Sequence, residues 1–234
     1  ECLQSIMEQE GHFNIEIVWI NDGSDDIHTI LLKTILDKFV KKMRFITVHY
    51  IENIENKGIG YTLHNGIHRC SHEIIIKMDS DDIMIGNRIQ KQLNFMKEQP
   101  HVHICGGQIK CFTNTDNVIS ITKHKSITWE QYKTKPSHWF INHPTVCYRK
   151  SSVLKAGNYN KELREMAEDF DLELRMLKMF GYIHNMDEYL LYYRIHEDQV
   201  THKGGKGGSL KWEAIRNDII TNLMKYNNQN KHEI

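Results

Sequence analysis

Asp79, Asp81 and Asp82 stand within four residues of one another, at the end of the segment Glu73 to Asp82 (EIIIKMDSDD). Carboxylates that close repel one another unless a cation or a donor-rich ligand sits among them. The Asp-Ser-Asp spacing at a strand end lets Asp79 and Asp81 point to one side. That suits a hard divalent ion whose remaining coordination positions stay open for a phosphate ligand. An acidic turn capping the next helix has the same composition, so the neighbouring segments must decide.

Two further acidic groups follow the same logic. Ile15 to Ile20 (IEIVWI) runs into Asn21-Asp22-Gly23-Ser24-Asp25-Asp26, and Glu168-Asp169 precedes the helical stripe Phe170, Leu174, Leu177 and Gly181. A carboxylate pair at a helix start either stabilises the N-terminus or takes a proton as general base. Asn56-Lys57-Gly58 also precedes a helix start, where free N–H groups favour an anion. Lys57 either reaches that anion or stays solvated. Arg194, near the end of the strand Tyr189 to Ile195, suits a carboxylate or a phosphate.

The elements that must position these residues alternate. Strands are expected at 15–20, 44–51 and 74–76. Between them, Ile27, Leu31, Ile35 and Phe39 form one i, i+4 ladder, and Ile59, Leu63, Ile67 and Cys70 form another. Strand, helix, strand, helix, strand is a doubly wound α/β pattern, in which ligands bind outside the carboxyl ends of the strands. Three polar loops therefore converge on one place, and two of them are acidic.

Six segments taken in order resemble one family. NDGSDD, ENKGIGYTLHNGI, MDSDDIMIGNRIQKQL, HPTVCYRKSSVLKAGNY, AEDFDLELRML and YYRIHEDQVTHK are similar to glycosyltransferase family 2, nucleotide-sugar-dependent enzymes of the GT-A fold, from Glu1 to about Lys203. The resemblance implies a Rossmann-like, mostly parallel sheet with an irregular acceptor-side region. It also implies one domain over 1–234: a nucleotide-binding half (1–100), an acceptor-side half (101–208) and a C-terminal helix (209–234). Family members open with a strand before the helix that ECLQSIMEQ resembles, so an N-terminal strand is expected to be missing from this sequence.

By motif position, the resemblance places Asp22 near the nucleobase, Asp79 on the ribose side and Asp81 on a Mn²⁺ or Mg²⁺ ion. His196 matches a histidine that completes the metal shell, and neutral imidazole suits Mn²⁺. Asp82 either supports that shell or caps a helix beginning near Ile83. Asp169 matches the base that takes the acceptor hydroxyl's proton during a single displacement with inversion. Glu168 stands beside it, and Trp139, Phe140, His143 and Thr145 match the acceptor side. The implied donor is a nucleoside-diphosphate sugar, most commonly a UDP-sugar; the implied acceptor is a hydroxyl of a glycan, a lipid-linked sugar or a protein. A cytoplasmic or membrane-peripheral location is expected. A non-catalytic sugar-nucleotide-binding module would keep Asp22, Asp79 and Asp81 but lose the base, and a nucleotidyltransferase would carry a Gly-rich basic loop after the first strand.

Composition narrows the field. The 234 residues, 40% of them hydrophobic, suffice for one large α/β domain. Thirty basic and thirty acidic residues cancel, leaving no electrostatic footprint for nucleic acid. No apolar run approaches the ~20 residues of a membrane helix. Five scattered cysteines without CxxC spacing read as free thiols. In the second half, strands are expected at 101–112, with a Gly106-Gly107 interruption, and at 144–148. Segment 126–142 is expected to be irregular, Lys203 to Gly208 to be a hinge or lid, and 210–226 to be a terminal helix.

Overall fold

The computed structural model describes residues 1–42, 46–113, 117–164, 166–197, 199 and 205–229. Helix α1 (Cys2–Met7) precedes strand β1 (Glu16–Asn21), which pairs in parallel with β2 (Thr47–Glu52) across α2 (Asp26–Lys42). The residues expected to start β2, Arg44 and Phe45, lie outside the described ones. Helix α3 (Ile59–Arg69) leads to a second sheet with the order β3 (Ile74–Ile76), β8 (Cys147–Arg149), β5 (Ile104–Phe112), β9 (Tyr182–Arg194), β4 (Ile83–Met84). Strands β5 and β9 are parallel, whereas β3–β8, β8–β5 and β9–β4 are antiparallel. Strand β6 (Val118–Ile121) adds to β5, and β7 (Ile127–Thr128) adds to β9. The α/β architecture is as expected, with parallel pairs in both sheets and antiparallel returns in the second.

The sheet's close contacts explain its glycines. A Cβ on Gly106 would lie 2.7 Å from Ile141 Cγ1, and one on Gly107 would lie 2.5 Å from Leu190 Cδ1. The pair sits where β5 and β9 shift register, at a close approach that only a missing side chain allows. Around this sheet pack α4 (Arg88–Glu98), α5 (Trp129–Thr134), α6 (Lys150–Lys155), α7 (Glu168–Phe180) and α8 (Gly205–Gln229). The largest core cluster gathers Phe170, Leu174 and Leu177 of α7 with Tyr132, Phe140 and Val146, and Ile215, Ile219 and Leu223 of α8 close it.

Between β1 and β3 the sheets do not pair. A cavity of about 640 Å³ opens there, lined by Ile17 and Trp19 on one wall, Ile74 and Ile76 on the other, and Cys2 and Ile6 of α1.

Four sequence expectations are corrected. Helix α2 forms, but of its ladder only Phe39 is buried: Ile27, Leu31 and Ile35 are exposed, and Thr29 and Leu36 go inside with Phe39. The helix has two apolar faces, and the sheet took the one that fits Trp19 and Val48. Segment 126–142 is not irregular throughout, because a capping box between Thr128 and Gln131 starts α5. Pro144 occupies a 3₁₀ turn, His143–Thr145, ahead of β8. Helix α8 begins at Gly205, so four residues of the expected hinge are helical, while Lys203 and Gly204 lie outside the described residues.

Candidate active site

The acid turn of residues 79–82 leaves the end of β3 and leads into β4, with α4 starting only at Arg88, so Asp82 caps no helix at Ile83. Asp82 is instead fully buried. Its Oδ1 accepts the backbone N–H of Arg194 at 2.9 Å, and its Oδ2 has no partner among the described residues. Burial, then the charge of Asp79, pushes its carboxyl up to about 8. Asp82 thus ties the turn to the end of β9 and cannot itself reach solvent.

Asp79 and Asp81 are partly open. Asp79 pairs with Lys77, whose side chain is buried at the end of β3. Asp81 Oδ2 lies 3.1 Å from His196 Nε2, and both side chains are a little over one-third exposed. Arg194 donates from Nε to the Asp81 carbonyl at 2.8 Å, pairs with the Glu1 carboxylate and lies 4.5 Å over the Phe112 ring. It thus takes a carboxylate, one of the two partners expected for it. At Asp81 and His196 a carboxylate oxygen and an imidazole nitrogen converge from two segments. Among the described residues no group of three or more His, Cys, Asp or Glu side chains is placed to hold a metal.

Asp22 follows β1 and is saturated by the neighbouring loop. Its Oδ1 accepts from Lys57 N at 2.9 Å and Asn53 Nδ2 at 2.8 Å, and its Oδ2 accepts from Gly58 N at 2.9 Å. Burial would raise its carboxyl, but the Asn53 side chain and the loop N–H groups outweigh that and hold it below the usual range. Lys57 Nζ pairs with Glu55 on the surface, while Arg164 donates to the Lys57 and Asn56 carbonyls. The loop that positions Asp22 is therefore clamped from two sides.

Glu168 and Asp169 open α7 behind Ala167, whose φ of 60° is left-handed, a conformation that a residue with a Cβ adopts at a cost of about 1–2 kcal/mol. Glu168 is buried; burial, then the charge of Asp169, pushes it up to about 8, while Lys77 opposes and Asp79 adds to the shift. Lys77 and Asp79 both act on Glu168, so the acid turn and the start of α7 lie within electrostatic reach of each other. Asp169 is 20% exposed, and its Oδ1 accepts Phe170 N at 2.6 Å.

Two acceptor-side expectations part company. Trp139 is 56% exposed, in the surface loop ahead of the 3₁₀ turn. His143 is buried and unavailable to an acceptor: its Nδ1 is 2.9 Å from Glu173 Oε1, and its Nε2 is 3.2 Å from the Tyr159 hydroxyl. Burial drives Glu173 up and His143 down, toward their neutral forms, and the pair ties α7 to the 3₁₀ turn. Three residues were missed: Lys77, Glu173 and Arg216 of α8. Each is a charge on an otherwise apolar strand or helix stripe, and that was the signal available.

With this geometry in place, comparison with known proteins is decisive. The model of glycosyl transferase family 2 matches residues 1–157. The chain belongs to that family. It is a glycosyltransferase with the GT-A fold. It is 27% identical to the amylovoran biosynthesis glycosyltransferase AmsE of Erwinia amylovora over 230 residues, covering 94% of this chain and 76% of that one. It is 27% identical over 205 residues to the Escherichia coli UDP-Gal:alpha-D-GlcNAc-diphosphoundecaprenol beta-1,3-galactosyltransferase, covering 88% and 71%. The structure of S. aureus TarS 1-349 in complex with UDP-GlcNAc superposes with a TM-score of 0.64 at 19% identity, over 86% of this chain and 56% of that one. Among the described residues, no helix of this family 2 member is long and apolar enough to cross a membrane.

Proposed function

We propose that this glycosyltransferase moves a sugar from a UDP-sugar to the hydroxyl of a glycan or lipid-linked acceptor, with inversion at the anomeric carbon. The observation that carries the reading is buried Lys77, which pairs with Asp79 and acts electrostatically on Glu168, the neighbour of Asp169. Of the Glu168-Asp169 pair, Asp169 is the carboxylate that reaches solvent. Asp169 accepts the proton of the acceptor hydroxyl as its oxygen bonds to the anomeric carbon and the sugar–phosphate bond breaks toward UDP. Asp22 and Asp79 face the nucleoside, and Lys57 stands near the helix start that favours its phosphates. Asp81 and His196 would hold Mn²⁺ or Mg²⁺; such a cation supplies Lewis-acid stabilisation of the departing diphosphate. The substrate of the E. coli relative and the ligand of the S. aureus complex support UDP as the nucleotide, and the former supports a lipid-linked acceptor.

The test is Asp169→Asn. It is expected to bind UDP as the wild type does and to lose turnover by about 10²–10⁴-fold, the usual worth of a general base. Turnover within a few-fold of wild type would place the base elsewhere.

A further inference from the structure

Helix α8 turns Ile215, Ile219 and Leu223 into the core, and an arginine stands in that stripe. Arg216 is 3% exposed. Its guanidinium lies 4.0 Å from the Trp139 ring, 5.0 Å from Trp212 and 5.4 Å from Phe170, a cage of aromatic faces. Its Nη2 is 4.0 Å from Asp169 Oδ1, and its Nε has no hydrogen-bond partner among the described residues. A methionine would pack on the same rings without the cost of burying a charge. The charge therefore has an anionic counterpart. Three carboxylates act on it, Asp169 first, then Glu173 and Glu168. Burial holds the latter two toward their neutral forms.

We infer that Arg216 is a positioning residue for Asp169, which ties the C-terminal helix to the chemistry; the inference rests on Asp169 being the base. Asp169 Oδ1 takes the Phe170 N–H and faces the guanidinium, so that oxygen is anchored. This leaves Oδ2 to accept the hydroxyl proton. The aromatic cage holds the cation flat and prevents it from swinging into the crevice to neutralise the donor phosphates instead. Trp139, matched by sequence to the acceptor side, acts here as one wall of that cage.

The test uses the full chain with Mn²⁺, UDP-galactose and UDP-GlcNAc as donors, and a synthetic GlcNAc-diphospholipid as acceptor. Arg216→Ala is expected to lower kcat by about tenfold or more, as loss of base orientation should, with the donor KM unchanged. Guanidinium ion added to Arg216→Ala should restore part of kcat, because the cage stays intact. Arg216→Lys keeps the charge and should fall between the two; it carries the test if the alanine variant does not fold. A kcat loss that tracks a lower Tm and resists guanidinium would overturn the inference in favour of packing alone, as would wild-type kcat in both variants. If Asp169→Asn turns over normally, the base assignment itself falls. If that variant is inactive while both Arg216 variants are unaffected, only the role of Arg216 falls.

Discussion

His196 Nε2 lies 3.1 Å from Asp81 Oδ2, joining residues 115 apart in sequence. The contact depends on the backbone around it: Arg194 donates to the Asp81 carbonyl and to Asp82, and Gln199 holds the segment after β9 by donating to the Arg194 carbonyl. The end of the last long strand is thus fastened to the acid turn before any ligand arrives.

Asp81→Ala is expected to remove the Mn²⁺-dependent part of UDP affinity, and His196→Ala to weaken it several-fold, both with unchanged metal-free binding. Titration calorimetry with and without Mn²⁺ measures this. An identical metal-dependent gain in wild type and both variants would move the cation away from this pair.

Asp22→Asn replaces one accepting oxygen by an NH₂ that must face an N–H donor, whichever way the amide turns. An unmatched buried donor costs about 1–3 kcal/mol; these contacts are partly buried, so urea unfolding should show a loss toward the low end of that range together with weaker UDP binding. The sign with pH follows from the lowered carboxyl. Its contribution is complete above the ordinary aspartate range and is lost as pH falls through the folded-state value. Wild type and Asp22→Asn should therefore converge in strongly acidic solution; a gap that stays constant would show that the loop N–H groups are not held by the charge.

Glu168 runs the opposite way. With the folded carboxyl at about 8 and an ordinary value near 4.5, the folded state binds the extra proton between those limits. Stability falls as pH rises from about 4.5 to 8 and is then level. Glu168→Gln lacks that penalty, so its Tm should exceed that of wild type by a few degrees at pH 9, and the two should match near pH 4. A difference independent of pH would mean the carboxyl is ionised throughout.

Gly60→Ala tests the packing that seats the loop of Asp22. A Cβ there would lie 2.3 Å from the Leu163 carbonyl oxygen and 2.5 Å from that of Asn160. Backbone atoms cannot step aside as a flexible side chain can, so the loss should reach or exceed the ~1–3 kcal/mol of ordinary overpacking. A chemical melt superimposable on wild type would contradict the close approach of α3 to residues 160–163.

The positions of the acidic turns are legible in the sequence because strand ends and acidic turns are adjacent along the chain. Ile15 to Ile20 and Ile74 to Ile76 declare themselves by β-branching, and Asp22, Asp79 and Asp81 follow directly. Asp82 illustrates the limit: its spacing is that of a ligand, yet one more residue of strand pairing, Ile83 to Tyr192, turns it inward. His143 fails for a similar reason, since its partner Glu173 is thirty residues away and only the fold brings them together. Arg216 was hidden because its contact with Asp169 depends on how α8 docks, and helical periodicity alone gives no docking direction. The α2 ladder misled because two apolar stripes share one helix, and spacing cannot say which of them meets the sheet.

The slot between β1 and β3 bears on how the distance between Asp22 and Asp79 is set. Asp22 hangs from the two-stranded sheet and Asp79 from the larger one, and these two sheets share no ladder hydrogen bonds among the described residues. The separation of those two anchors is then set by side-chain packing across the cavity, which is softer than a hydrogen-bonded ladder. An extended segment lying in the slot would turn that soft spacing into a fixed gauge. Left open, its facing strand edges are a template for any passing backbone, and another copy of the chain is the most abundant one in a concentrated preparation.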